Sequence, residues 1–241
     1  MRLVLSELCR VHDVVLVIKP VPGPLRWDLF VKSPFRVAWR KLLGLVTQWR
    51  RRRFHALVQR RYGQRIQLTE GIAEVDVESS AINSQAVERM IREANPEVLF
   101  VFGSPVLHER LFNLATLGAV NLHLGIAAQY RGENTLFWAL RERNPEGLGI
   151  TFHRIDAGID TGRVLAYGYP ALCEGDGEAE LWLSSLELAS RMVGRVVAEM
   201  KEGFFTEKGT FYSLCKRTPL QDLKVCLSSW SPPRREESML F

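Results

Sequence analysis

A chain of 241 residues, 46% hydrophobic and 24% charged, has ordinary globular composition and room for one large domain with an appendage. Its four cysteines, Cys9, Cys173, Cys215 and Cys226, form no C-x-x-C pair, so neither a disulfide framework nor a structural zinc site is indicated, and a reduced, cytoplasmic setting fits. The net charge of +5 is local: residues 31–68 hold no acidic residue but carry Lys32, Arg36, Arg40, Lys41, Arg50 to Arg53, Arg60, Arg61 and Arg65.

The opening MRLVLSELCRVHD is too short in its apolar run, and too often cut by charge, to read as a signal peptide. No stretch approaches the ~18 apolar residues of a membrane span. VVLVIK, residues 14–19, reads as a buried strand stopped by Pro20. Residues 35–65 are helix-like, with Trp39, Leu42, Val46, Trp49, Phe54, Leu57 and Val58 at rough three- and four-residue spacings, interrupted by Gly44 and the four-arginine run. NSQAVERMIREA, residues 83–94, is a clearer helix, N-capped by Asn83 or Ser84 and ended by Asn95-Pro96. VLFVF, residues 98–102, is a second buried strand, and Gly103-Ser104-Pro105 a turn.

A short helix over 108–116 leads through Gly118 to a strand carrying Asn121 and His123. Residues 135–143 are helical. GITFHRI (149–155) and residues 164–169 are strands on either side of DAGIDTG, and residues 181–201 form a long amphipathic helix. The rest is weakly patterned, and SSWSPPRREESMLF is expected to be disordered. The domain division is therefore residues 1–205, with a basic helical insertion at about 32–66, and a partly disordered extension over 206–241.

Alternating strands and helices predict an α/β domain with a mainly parallel sheet and helices on both faces. Such sheets bind ligands beyond the carboxyl ends of their strands. Asn121, His123 and the loop from Asp156 to Gly162 all fall there. Residues i and i+2 of a strand share a face, so Asn121 and His123 aim at one spot. An amide can donate to a carbonyl oxygen and an imidazole can exchange a proton near neutral pH, a pairing suited to a tetrahedral carbon with a developing oxyanion. No G-x-S-x-G and no neighbouring cysteine supplies a nucleophile, so transfer would run directly from donor to acceptor. Asp160, in a glycine-flanked turn, is the leading third group. Taken singly, each motif could equally be a loop anchor or a plain turn.

The set N-L-H, Y-R-G, W-A-L and G-I-T-F-H-R-I-D-A-G-I-D-T-G, over residues 96–200, resembles the formyltransferases that use 10-formyltetrahydrofolate. These include glycinamide ribonucleotide, methionyl-tRNA and sugar-amine formyltransferases and a formyltetrahydrofolate hydrolase. The resemblance implies a Rossmann-like fold, no metal, and a catalytic set of Asn121, His123 and Asp160. It implies a pterin pocket lined by the backbone of Ile155, Asp156, Ala157, Gly158 and Ile159. Gly103, Ser104, Tyr130, Arg131 and Gly132 would lie on the substrate side. Formyl transfer to a primary amine of a small substrate, such as a nucleotide-linked amino sugar, is the implied activity. A hydrolase, or a degenerate member acting as a binding protein, is the alternative.

Three features depart from the family pattern. Ala127, Ala128 and Gln129 stand where many members have Leu-Pro before Y-R-G. Only thirteen residues precede VVLVIK, which resemble the end of the first helix, so the usual first strand and loop are expected to be missing and apolar surface left open. No β-rich second domain follows, which counts against a tRNA substrate. The basic segment has three readings: a solvated helix whose aromatic residues pack on the domain, a site for an anionic ligand, or an interfacial membrane helix. His108 and His153 are expected to be structural histidines outside the reaction.

Overall fold

The computed structural model describes residues 2–23, 52–62, 72–200, 210–211 and 232–240. Most of the basic segment, Arg50 and Arg51 included, and most of the extension over 206–241 lie outside the described residues. The described elements run α1 (Arg2–Val11), β1 (Leu16–Val21), α2 (residues 52–62), β2 (Ala73–Glu78), α3 (Gln85–Ala94), β3 (Val98–Val101), α4 (Glu109–Phe112) and β4 (Gly118–His123). There follow β5 (Tyr130–Arg131), α5 (Thr135–Arg141), β6 (Ile150–Arg154), β7 (Val164–Tyr169), α6 (Glu178–Ala198), β8 (Thr210–Phe211) and β9 (Ser238–Leu240).

The class is α/β and Rossmann-like. β1 and β2 pair in parallel, as do β3 and β4. Beyond β4 the five-stranded sheet, ordered β3-β4-β6-β7-β9, turns antiparallel at every step. For β6 and β7 the cause is local: DAGIDTG is a hairpin-length link, too short for the crossover that parallel neighbours need. β9 departs from the expected disorder of the carboxyl-terminal stretch. Ser238, Met239 and Leu240 pair with Tyr169, Gly168 and Tyr167, and Arg235 forms a bridge with Leu172. Arg235 also donates to the carbonyls of Pro145, Leu148 and Pro170, which ties this polar segment to the domain without an apolar pattern.

Local chemistry sets the helix ends. The Ser84 hydroxyl accepts from Val87 N–H at the start of α3, and Asn95, at φ 44°, closes it in the left-handed region before Pro96. The main core joins Val4 and Leu8 of α1, the apolar faces of α5 and α6, and Val120, Leu122, Ile150 and Phe152 of β4 and β6. Val87, Ile91 and Leu111 of the α3–α4 region pack with Ile18 and Val77 of β1 and β2. β1 and β3 are not hydrogen-bonded to each other; between them lies an apolar cavity of about 590 Å³, lined by Val17, Ile18, Leu99, Phe100, Val4 and Ile91 among others.

α2, the described part of the basic segment, packs on α6. Phe54 meets Trp182 edge-on with centroids 6.1 Å apart, Arg53 pairs with Glu180 at 2.7 Å, and Arg61 and Tyr62 both reach Glu187. The side chain of Arg53 remains 46% exposed, so its ion pair is worth little in water. Replacing Arg52 and Arg53 together by Gln is expected to move the unfolding free energy by less than about 1 kcal/mol, read from urea titration. A loss several times larger would show that the pair anchors the helix.

Candidate active site

Strand alternation builds the site. Val120 and Leu122 of β4 face the main core, so Asn121 and His123 point to the opposite face. The antiparallel register sets His153 of β6 directly opposite Asn121, while Ile150 and Phe152 take the core face. The chain then turns through residues 155–163. Asp160 adopts φ 49°, a left-handed conformation that Asp tolerates better than most residues, and this brings its carboxylate back over the end of β4. Gly125, just after β4, has φ 148°; a Cβ there would stand 2.5 Å from Thr135 Oγ1 and 3.1 Å from His123 Nε2. Glycine therefore lets the loop pass the imidazole.

Asn121, His123 and Asp160 converge as the sequence predicts, and His153 joins them. Asp160 Oδ2 accepts the Gly132 N–H at 2.7 Å and faces His123 Nδ1 at 3.3 Å. Asp160 Oδ1 accepts from Asn121 Nδ2 at 3.2 Å and faces His153 Nε2 at 3.2 Å. His123 Nε2 lies 3.0 Å from the Tyr130 carbonyl, so this nitrogen carries the hydrogen. His153 Nδ1 likewise donates to the Arg154 carbonyl at 2.9 Å. Asn121 Nδ2 also lies 3.1 Å from His153 Nε2.

The electrostatics follow from this crowding. Burial alone would raise the Asp160 carboxyl. The hydrogen bond from His153, the charge of His123, the Gly132 N–H and the charge of His153 outweigh it and pull the carboxyl down to about 2. Burial pushes the His123 imidazole below its ordinary value, opposed by Asp160 and the Tyr130 carbonyl and reinforced by the charge of His153. The two tendencies conflict, because the aspartate is held down by partners whose own charge burial resists. The ionised Asp160 is the firmer of the two, since it collects neutral donors as well. His123, with an acceptor at each nitrogen and 5% exposure, is the group poised to gain or lose a proton.

The remaining predicted residues sit at varied distances from this cluster. Tyr130 and Gly132 meet it through backbone, Tyr130 by its carbonyl and Gly132 by its N–H. The Tyr130 ring is buried, with its hydroxyl donating to Glu142 and accepting from Asn144. Arg131 stands between them on β5. Thr151 fixes the loop that departs from the family pattern: its hydroxyl accepts from Ala127 N–H at 3.0 Å and donates to the Gly125 carbonyl at 2.7 Å. In the 155–159 turn, Ile155 N–H bonds the Ala119 carbonyl, and Asp156 accepts from Gly158 N–H and the Thr161 hydroxyl, leaving residues 156–158 exposed. Gly103 is exposed, and Ser104 lines the apolar cavity beside β3. His108 lies apart, exposed, with its N–H on Asn83. His153, expected to be a structural histidine, is buried and has a partner at each ring nitrogen, one of them Asp160.

The family described as Formyl transferase matches residues 55–197, more than half of the chain. The chain belongs to the formyl transferase family. A methionyl-tRNA formyltransferase of Caldanaerobacter subterraneus subsp. tengcongensis is 29% identical over 137 residues, 56% of this chain and 44% of that protein. The chain spans about half the length of the curated formyltransferases it matches. Two solved formyltransferases share the fold. PseJ from Anoxybacillus kamchatkensis, in complex with UDP-4,6-dideoxy-4-formamido-L-AltNAc and tetrahydrofolate, gives a TM-score of 0.54 at 16% identity, over 91% of this chain and 94% of that one. Phosphoribosylglycinamide formyltransferase from Bacillus halodurans gives 0.53 at 16% identity, over 83% and 87%.

Proposed function

We propose that this chain transfers a formyl group from 10-formyltetrahydrofolate to a primary amine of a small, nucleotide-linked amino sugar, in the cytoplasm. The observation that carries the reading is the convergence of Asn121, His123 and Asp160 at the carboxyl end of β4, with His123 3.3 Å from the carboxylate. The amine attacks the formyl carbon, a C–N bond forms, and the carbonyl oxygen gains charge. Asn121 Nδ2 donates one hydrogen to Asp160 and turns the other to that oxygen. His123 joins by exchanging the Tyr130 carbonyl at Nε2 for the substrate oxygen. The proton lost by the amine passes to the His123–Asp160 pair, and the folate nitrogen leaves with a proton in return. The exposed backbone at 156–158 is the surface for the pterin. Gly103, Ser104, Tyr130, Arg131 and Gly132 are read as the substrate side.

The amino-sugar class draws support from PseJ, whose complex holds a formamido sugar nucleotide and whose fold covers nearly all of this chain. The test offers 10-formyltetrahydrofolate with UDP-linked amino sugars, glycinamide ribonucleotide and methionyl-tRNA, following deformylation by absorbance. Release only with the amino sugars is expected. Release with methionyl-tRNA reassigns the substrate, release without an amine identifies a hydrolase, and no release from folded protein overturns the activity.

A further inference from the structure

His153 is the one group of the cluster to which the formyl-transfer reading gives no task. It is 3% exposed. A buried structural histidine is ordinarily satisfied by backbone. This one uses backbone for Nδ1 only and turns Nε2 to the carboxylate that His123 also faces. The two rings lie 6.4 Å apart at 64°, so they do not stack; they converge on the two oxygens of one carboxylate. Each oxygen thus meets one imidazole and one N–H, from Gly132 on one side and Asn121 on the other. His153 Nε2 also lies within reach of the Asn121 amide nitrogen. Asp160 Oδ1 is an acceptor, which fixes Nδ2 of Asn121, and not its Oδ1, toward the carboxylate.

We propose that His153 is a positioning residue: anchored by its Nδ1–H on the Arg154 carbonyl, it holds the plane of Asp160 through Nε2 and, through that carboxylate, the amide of Asn121. The inference rests on the formyl-transfer reading for its effect on turnover, but not for its effect on the cluster itself. Without the ring, Asp160 Oδ1 keeps only Asn121 of its two partners, and both groups can rotate. A second consequence is electrostatic, because the two imidazoles share one counter-ion. The other charged groups on these segments are Asp156, held by Gly158 and Thr161, Arg154, whose guanidinium serves the carbonyls of Leu117 and Met200, and Arg131, Glu133 and Arg163.

Two near-isosteric variants separate positioning from packing. In His153→Gln the amide nitrogen can stand where Nε2 stood and still donate to Asp160. In His153→Asn it stands where Nδ1 stood, keeps the Arg154 carbonyl and abandons the carboxylate. His153→Asn is expected to lose about 10- to 100-fold in turnover with KM for the folate changed less than about twofold, and His153→Gln to recover most of it. In both variants the His123 ring, followed by NMR in histidine-labelled protein, should titrate at higher pH than in wild type, because the neighbouring imidazole that disfavours its charged form is gone. Equal turnover in the two variants and wild type, or an unmoved His123 titration in folded protein, overturns the proposal. Wild-type protein that transfers no formyl group to any amine refutes the activity reading alone, since the His123 titration then decides the role of His153 unaided.

Discussion

His123→Ala is expected to lower the proposed formyl transfer on the order of 10²-fold or more, with KM for the folate nearly unchanged. The imidazole sits at the end of β4 with an acceptor on each nitrogen, the Tyr130 carbonyl and Asp160. Burial opposes its charged form against the pull of Asp160, so the protonated ring is rewarded further where negative charge develops beside it. A group that acts there contributes to kcat rather than to binding. Asn121→Ala should fall in the same range, because it removes the amide that links Asp160 to the reacting oxygen. His108→Ala is the control: its ring is exposed and the cluster does not touch it, so folded variant protein keeps near-wild-type turnover. Circular dichroism and steady-state kinetics on the three variants check this. Folded His123→Ala protein turning over at close to the wild-type rate would refute the proton-exchange role.

Much of this arrangement can be read from short-range pattern. The period of two in A-V-N-L-H places Asn121 and His123 on one face because Val120 and Leu122 claim the other. A glycine-bounded turn returning a carboxylate is equally local, and Asp160 follows from it. His153 is not reached by the same reasoning, because its role comes from pairing. The pairing register, which the sequence does not state, sets His153 opposite Asn121. The signal was present in I-T-F-H: Ile150 and Phe152 are core residues, so Thr151 and His153 must share the face of the site. The backbone partners, Tyr130 C=O and Gly132 N–H, carry no side-chain signature at all. β9 escapes for another reason: three exposed residues at a sheet edge gain their order from ladder hydrogen bonds and the anchored Arg235, not from hydrophobic periodicity.

Asp160→Asn should cost on the order of 10²-fold or more in turnover and should also change how stability depends on pH. The carboxylate accepts at both oxygens, from Gly132 and Asn121, and faces two imidazoles. An asparagine has one acceptor oxygen. Whichever way it turns, its NH₂ group confronts either the Gly132 N–H or the Asn121 amide, leaving buried donors unpaired. The carboxyl titrates from 3.8 in the absence of these contacts to about 2 within them. A folded value below the unfolded one means that the native state binds the proton less well. The resulting stabilisation is fully present above pH ~4 and is lost as pH falls toward 2. Its size is on the order of 2 kcal/mol. Urea denaturation of wild type and Asp160→Asn should therefore show wild type more stable at pH 7, with the gap closing as the pH is lowered from about 4 toward 2. A gap that stays constant across that window would mean that Asp160 is not held as a carboxylate by its neighbours. In that event the proton would reside on the aspartate at rest, and the amine's proton would have no acceptor there.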